Sequence, residues 1–166
     1  NSVKHSGYQV DIFHTEMCSL PMNPLNHTPE QIIVQTLFAD GHIKYSVSRR
    51  PATEGKSLQV LAIHEKVLAD SAEDMSWLPT ASSMQMNLSR EVPDKIKKNL
   101  PVFIKELLEK SEQQNVDLSK IEYAVHPGGP KIIDAVKEVL SLDEEKVLHS
   151  KKILFERGNM SSATLP

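Results

Sequence analysis

Residues 126–130, His-Pro-Gly-Gly-Pro, constrain the folding of this chain more than any other segment. The prolines fix φ and remove backbone donors, and the adjacent glycines allow a tight turn and close approach of a ligand to the backbone. Ile121 to Val125, just before, predicts a short buried strand, and Lys131 to Leu140, just after, predicts a helix. His126 then stands at the C-terminal end of a strand, the edge where open α/β sheets hold ligands. Taken by itself, the local pattern also fits a histidine that merely caps a strand.

The rest of the chain alternates strands and helices. Tyr8 to Met17 predicts a strand, and Pro21, Pro24 and Asn26 break it into a loop. Thr28 is a natural N-cap, with Pro29 at the first helical position and Gln31 three residues after the cap. In that helix Ile32, Ile33, Leu37 and Phe38 are expected on one side, and Asp40-Gly41 is expected to end it. His42 to Ser48 alternates with period two and predicts a strand, and Arg49 to Lys56 a turn. Leu58 to Leu68 and Ser83 to Leu88 predict two more strands, with Ala69 to Pro79 a surface connection between them.

Val92 to Gln114 carries Ile96, Leu100, Phe103, Ile104, Leu107 and Leu108 at helical spacing, with a kink or a break expected at Pro101. Ser141 and Glu144 form a capping-box pattern for a last helix to Arg157, stopped by Gly158. Strands interleaved with helices make the chain α/β in class. No repeat or long linker divides residues 1–166, so one domain is expected.

With 19 Lys+Arg against 22 Asp+Glu and a net charge of -3, the chain lacks the electrostatic footprint of a nucleic-acid or anionic-membrane binder. The apolar runs are too short for a membrane span, and Asn1 to Gly7 is too polar for a signal peptide. The single cysteine, Cys18, excludes an internal disulfide framework and fits a reducing, cytoplasmic setting. The remaining histidines show no ligand spacing, so no metal site is expected.

A second segment, Gly158-Asn159-Met160-Ser161-Ser162-Ala163, is small and polar directly after an amphipathic helix. Alone it reads as a helix C-terminus, with Gly158 left-handed and Asn159 satisfying loose backbone groups. Together, strand–HPGGP–helix, a second helix and GNMSSA resemble the end of the chalcone synthase (type III polyketide synthase) family. Thr15-Glu16, Gln35 to Gly41, Asp74 to Trp77 and Leu88 to Pro93 resemble further family segments in the right order. The fold this resemblance implies is the C-terminal half of the thiolase fold, a mixed sheet with helices packed in layers.

The resemblance also implies an activity: decarboxylative Claisen condensation of malonyl-CoA onto an acyl-CoA starter. His126 and Asn159 would be the paired donors to the malonyl thioester oxygen, stabilising the enolate as charge develops. The nucleophilic cysteine would lie on the N-terminal half of the same enzyme, outside residues 1–166, and His126 would pair with its thiolate. No cofactor is implied beyond the coenzyme A thioester substrates, and the parent enzyme would be a homodimer. Cys18 matches a position that lines the acyl pocket, although a plain buried cysteine fits it too. Phe38 and Met86 align with a pair of gatekeeping phenylalanines or are ordinary core residues. Gly128, Gly129 and Ser161 would line the substrate site, and Lys131 would either meet a coenzyme A phosphate or be solvated.

Cys18, His126 and Asn159 also spell a Cys-His-Asn protease set. A nucleophilic cysteine wants a helix N-terminus or a cationic neighbour, and Ser-Leu-Pro-Met-Asn-Pro after Cys18 cannot start a helix there. Two other readings stand beside the polyketide synthase: a ketoacyl synthase III-like enzyme fed by acyl carrier protein, and a non-catalytic thiolase-like domain that binds acyl-CoA. The pattern departs from the family at His42-Ile43-Lys44-Tyr45, where members carry small residues, and at Ala39 in place of glycine. The family's later Gly-Phe-Gly-Pro-Gly segment is absent, so pieces are expected to be missing at both ends and residues 1–166 alone to be inactive.

Overall fold

Alternating side chains build the first ribbon. β1 (Val10–Glu16) and β2 (Gly41–Val47) pair antiparallel, from Val10 opposite Val47 to Glu16 opposite Gly41. The structure is a computed structural model that describes residues 9–51, 55–81 and 83–166, so Tyr8 and part of the expected turn at Arg49 to Lys56 lie outside the described residues. One face of the ribbon, with Ile12, His14 and Glu16 beside Gly41, Ile43 and Tyr45, is half-buried, and the other is exposed.

Helix α1 (Pro29–Leu37) starts as the sequence predicts, with Thr28 Oγ1 accepting from the Gln31 amide and Pro29 in the first turn. Its buried side differs from the expectation: Gln31 and Val34 face inward, while Ile32 and Ile33 are exposed. A buried amide needs partners, and Gln31 Nε2 finds one in the Met86 carbonyl at 2.8 Å. The helix ends at Leu37, before Asp40-Gly41, because Phe38 turns to extended backbone and pairs with Asn159.

The expected surface connection before Pro79 is in part a strand. β3 (Met75–Pro79) pairs antiparallel with β4 (Met84–Leu88), placing Trp77 opposite Met86. Leu58 to Leu68 and Ile121 to Val125, both expected as strands, pair with no described strand. The first is held through His64 and Lys66. His64 stacks on Phe103 with ring centroids 4.6 Å apart and meets Glu106 at 2.9 Å, while Lys66 reaches the same carboxylate at 2.7 Å.

α2 (Val92–Lys110) runs through Pro101 as one helix and not as two segments. Pro101 is exposed, so the amide partner missing for the Lys97 carbonyl one turn back is lost on the solvent side. α3 (Pro130–Val139) and α4 (Glu144–Arg157) pack with α2 around Ile133, Val136, Leu142 and Val147, joined by Ile96, Leu100, Tyr123, Val125, Leu140 and Leu154. Ser141 is not the N-cap of α4; Asp143 holds that place. Ser141 instead has φ 52° and closes α3, with its amide on the Glu138 carbonyl and that of Leu142 on Lys137. This is a Schellman ending whose following apolar residue, Leu142, is buried.

Helices and strands together make the fold α/β, with two antiparallel ribbons and one parallel bridge between Phe38 and Asn159 among the described residues. Among the described residues no helix is long and apolar enough to cross a membrane.

Candidate functional site

The His126 loop is built as its composition dictates. The Gly128 amide bonds back to the His126 carbonyl at 2.9 Å, Pro127 is buried, and Gly129 precedes α3. The imidazole lies beside Gly128: a Cβ built there would stand 3.4 Å from His126 Cδ2. Burial pushes the His126 imidazole below its ordinary pKa, so it stays neutral at pH 7, with one ring N–H to donate.

Asn159 is placed by its backbone. α4 stops at Gly158, whose φ of 76° lets the chain pass Ala39 and the Leu37 carbonyl; a Cβ there would come within 3.1 and 3.2 Å of them. The Asn159 amide then donates to Leu37 O, and its carbonyl accepts from Ala39 N, both at 2.9 Å. The residue is 3% exposed, and its Oδ1 accepts from the Ser161 amide at 2.9 Å. An N–H can be met only by an acceptor, so this bond fixes the amide's orientation and turns Nδ2 away. No hydrogen bond among the described residues engages Nδ2.

The two loops meet at the end of α1. Asn159 holds the Leu37 backbone, and a Cβ on Gly129 would lie 3.9 Å from the Leu37 side chain. Phe38, the next residue, sets its ring edge-on to Trp77 at 6.2 Å, and Trp77 is the cross-strand neighbour of the buried Met86. Phe38 and Met86 thus share an apolar wall through Trp77, a residue not singled out as a site candidate. Its signal is the strand Met75–Pro79, visible only once β4 pairs with it.

Ser161 sits at φ 52° in the short 3-10 turn Ser161–Ala163 and supplies the amide that holds Asn159. Lys131 is exposed in the first turn of α3. Cys18 is buried after β1, and burial first, then the charges of Glu16 and Asp40, hold its thiol above the ordinary range. A thiolate is disfavoured there, as expected of a cysteine that is not the nucleophile. Among the described residues no group of three or more His, Cys, Asp or Glu could hold a metal ion.

The electrostatics predict loss of stability in acid. Hydrogen bonds from Lys137 and Lys151 hold the Glu144 carboxyl down at about 2, and His126 is also lowered. In both cases the unfolded chain takes up protons before the folded one, so stability falls as pH drops. Loss should begin below about pH 6.5 as unfolded His126 charges and continue from about pH 4.5, where the unfolded Glu144 carboxyl takes up a proton while the folded one stays ionised. Urea midpoints measured from pH 8 to pH 3 should decline over that range, and the Glu144→Gln variant should show a shallower decline at its lower end, with Asp11, Asp40, Glu106 and Asp117, also held down by hydrogen bonds, supplying the remainder.

The comparisons with known proteins fall on one family. The model for chalcone and stilbene synthases, C-terminal domain, matches residues 59–165. A chalcone synthase relative from Bacillus subtilis (strain 168) is 33% identical over 159 residues, 93% of this chain and 43% of that protein. Type III polyketide synthase A of Arabidopsis thaliana is 27% identical over 161 residues, 96% of this chain and 41% of its own length. Among solved structures, the bacterial type III polyketide synthase tetrahydroxynaphthalene synthase from Streptomyces coelicolor superposes with a TM-score of 0.85 at 25% identity, covering 98% of this chain and 45% of that one. The C-terminal type III polyketide synthase domain of a type I/III hybrid from Dictyostelium superposes with a TM-score of 0.89 at 24% identity, over 99% of this chain and 46% of that chain, which speaks for the fold alone. The chain spans about two fifths of the length of the curated relatives it matches.

Proposed function

The chain belongs to the chalcone and stilbene synthases, and from that premise we propose that residues 1–166 are the enolate-stabilising C-terminal part of a type III polyketide synthase. The observation that carries this is the Asn159 amide. Its oxygen is spent on Ser161 N–H and its nitrogen is left to donate, on a segment that shares Leu37 as a neighbour with the loop that holds a neutral histidine. Two N–H donors directed at one oxygen stabilise charge as it forms there, without reorganising at the moment of reaction.

In the proposed step malonyl-CoA loses carbon dioxide, and the electrons of the broken C–C bond move into the thioester as an enolate. His126 and Asn159 hydrogen-bond its oxygen. The enolate carbon attacks an acyl thioester on a cysteine of the N-terminal half, and that thiolate leaves as the new C–C bond closes. A thiolate brought beside His126 would raise the imidazole's pKa again, because an opposite charge favours the charged form. Coenzyme A thioesters are the substrates of this reading, and no cofactor is needed. Phe38 and Met86 would shape the acyl side, Gly128, Gly129 and Ser161 the donor side, and Lys131 the coenzyme A entrance.

The surface supports a working unit larger than these residues. Leu58 and Val67 on the unladdered segment are 98% and 94% exposed, which suits a strand covered by further polypeptide, such as the N-terminal half of a dimeric enzyme. Residues 1–166 incubated with malonyl-CoA and an acyl-CoA starter should release neither carbon dioxide nor product, and the complete polypeptide should give both. Product from residues 1–166 alone overturns the proposal. Activity of the complete polypeptide with malonyl-acyl carrier protein, and not with malonyl-CoA, would move it to the ketoacyl synthases.

A further inference from the structure

The half-buried face of the β1–β2 ribbon carries a hydrogen-bond chain that the proposed reaction does not use. Ser162 Oγ lies 2.9 Å from His14 Nδ1 and also bonds Glu16 Oε1. The other ring nitrogen, His14 Nε2, lies 3.1 Å from Tyr45 OH, and the two rings stack with centroids 5.4 Å apart. The ribbon's register makes this arrangement possible. His14 pairs with Ile43, so Tyr45 is its diagonal neighbour on the same face, and Glu16 follows two residues along that face.

For a neutral imidazole, counting donors fixes where the protons sit. The Glu16 carboxylate accepts, so the single hydroxyl proton of Ser162 goes to it. Ser162 Oγ must then accept from His14, which places the ring proton on Nδ1. Nε2 is left as an acceptor, and the Tyr45 hydroxyl donates to it. The chain therefore runs in one direction, from Tyr45 through His14 and Ser162 to Glu16. It holds Ser162 at two points, and Ser162 neighbours the Ser161 amide that fixes the Asn159 side chain.

We propose that His14 is a positioning residue: held by Tyr45 in the Nδ1–H tautomer, it clamps Ser162 and so keeps the Ser161–Ala163 turn, and with it the Asn159 amide, in place. The inference deepens the enolate-donor reading of Asn159 and rests on it for its importance to the reaction. It also gives Tyr45, one of the bulky residues that depart from the family pattern, a task.

The test uses residues 1–166 without substrate, labelled with nitrogen-15. Long-range proton–nitrogen correlation spectra should show His14 as the Nδ1–H tautomer. An asparagine places its amide nitrogen near the position of Nδ1, and a glutamine places its own near Nε2, so the variants separate the two roles. His14→Phe and His14→Gln should speed hydrogen exchange at the Ser161 amide about tenfold, while His14→Asn should stay within about threefold of the parent. Exchange in the core helix α2, at Leu100, should not change in any of the three. The Nε2–H tautomer, or His14→Asn behaving like His14→Phe, overturns the proposal. Should a variant fail to fold, the tautomer of the parent chain still decides. Failure of the wider reading looks different: activity of the complete enzyme would survive Asn159→Ala while the exchange pattern held.

Discussion

Replacing Asn159 by alanine in the complete polypeptide is expected to lower the condensation rate by about two to three orders of magnitude, the usual cost of one lost oxyanion donor. Carbon dioxide release from malonyl-CoA should fall with product, because both pass through the same enolate. Loading of the acyl group should persist, since the proposed reaction assigns that step to a cysteine outside residues 1–166. The fold should survive the change. Asn159 is anchored through its backbone, by the 2.9 Å bonds to Leu37 and Ala39, which alanine keeps. Only the side-chain bond to Ser161 is removed, worth about 1 kcal/mol of stability. A variant that keeps its rate while losing that stability would make Asn159 a structural residue and nothing more.

The same residue shows what a sequence reveals and what it hides. Thr28 and Pro29 announced their helix because a cap and its amide lie within three residues of each other. Asn159 could not be read that way, since its partners Leu37 and Ala39 are far upstream and nothing near it hints at them. Only the joint pattern of HPGGP and GNMSSA suggested a site, through resemblance. Ser141 shows a second limit: the residue type that caps a helix start also tolerates the left-handed end of the helix before it, and the buried Leu142 decided between them. Leu58 to Leu68 has a strand's composition without a strand's ladder, because pairing belongs to two segments and the described residues supply one. Met75–Pro79 is the converse, ordinary in sequence and a strand only because Met84–Leu88 lies beside it. Gln31 was placed on no face by its polarity, yet it is buried because one carbonyl on β4 is there to receive it.

Gly41→Ala should cost stability, roughly 1–3 kcal/mol as a lower urea midpoint. A Cβ at Gly41 would stand 2.6 Å from Met160 Cβ and 3.0 Å from Ala163 Cβ, well inside the 3.5–4.0 Å at which carbon atoms attract. Both neighbours are β-carbons, fixed by their own backbones, so no side-chain rotation relieves the contact. Either the start of β2 or the Asn159–Ala163 segment must move. Loss of a flexible glycine would by itself stabilise the folded chain by up to about 1 kcal/mol, so the direction of the change reports the clash. The displacement falls on the segment that carries Asn159, and the complete enzyme should therefore lose rate beyond what lower stability explains at temperatures where it remains folded. A double-mutant cycle isolates the cause: Met160→Gly removes the nearest atom, so its effect in the Gly41→Ala background should be clearly less unfavourable than in the parent. If the two changes instead add, the close approach of β2 to the Asn159 segment is not what holds that segment in place.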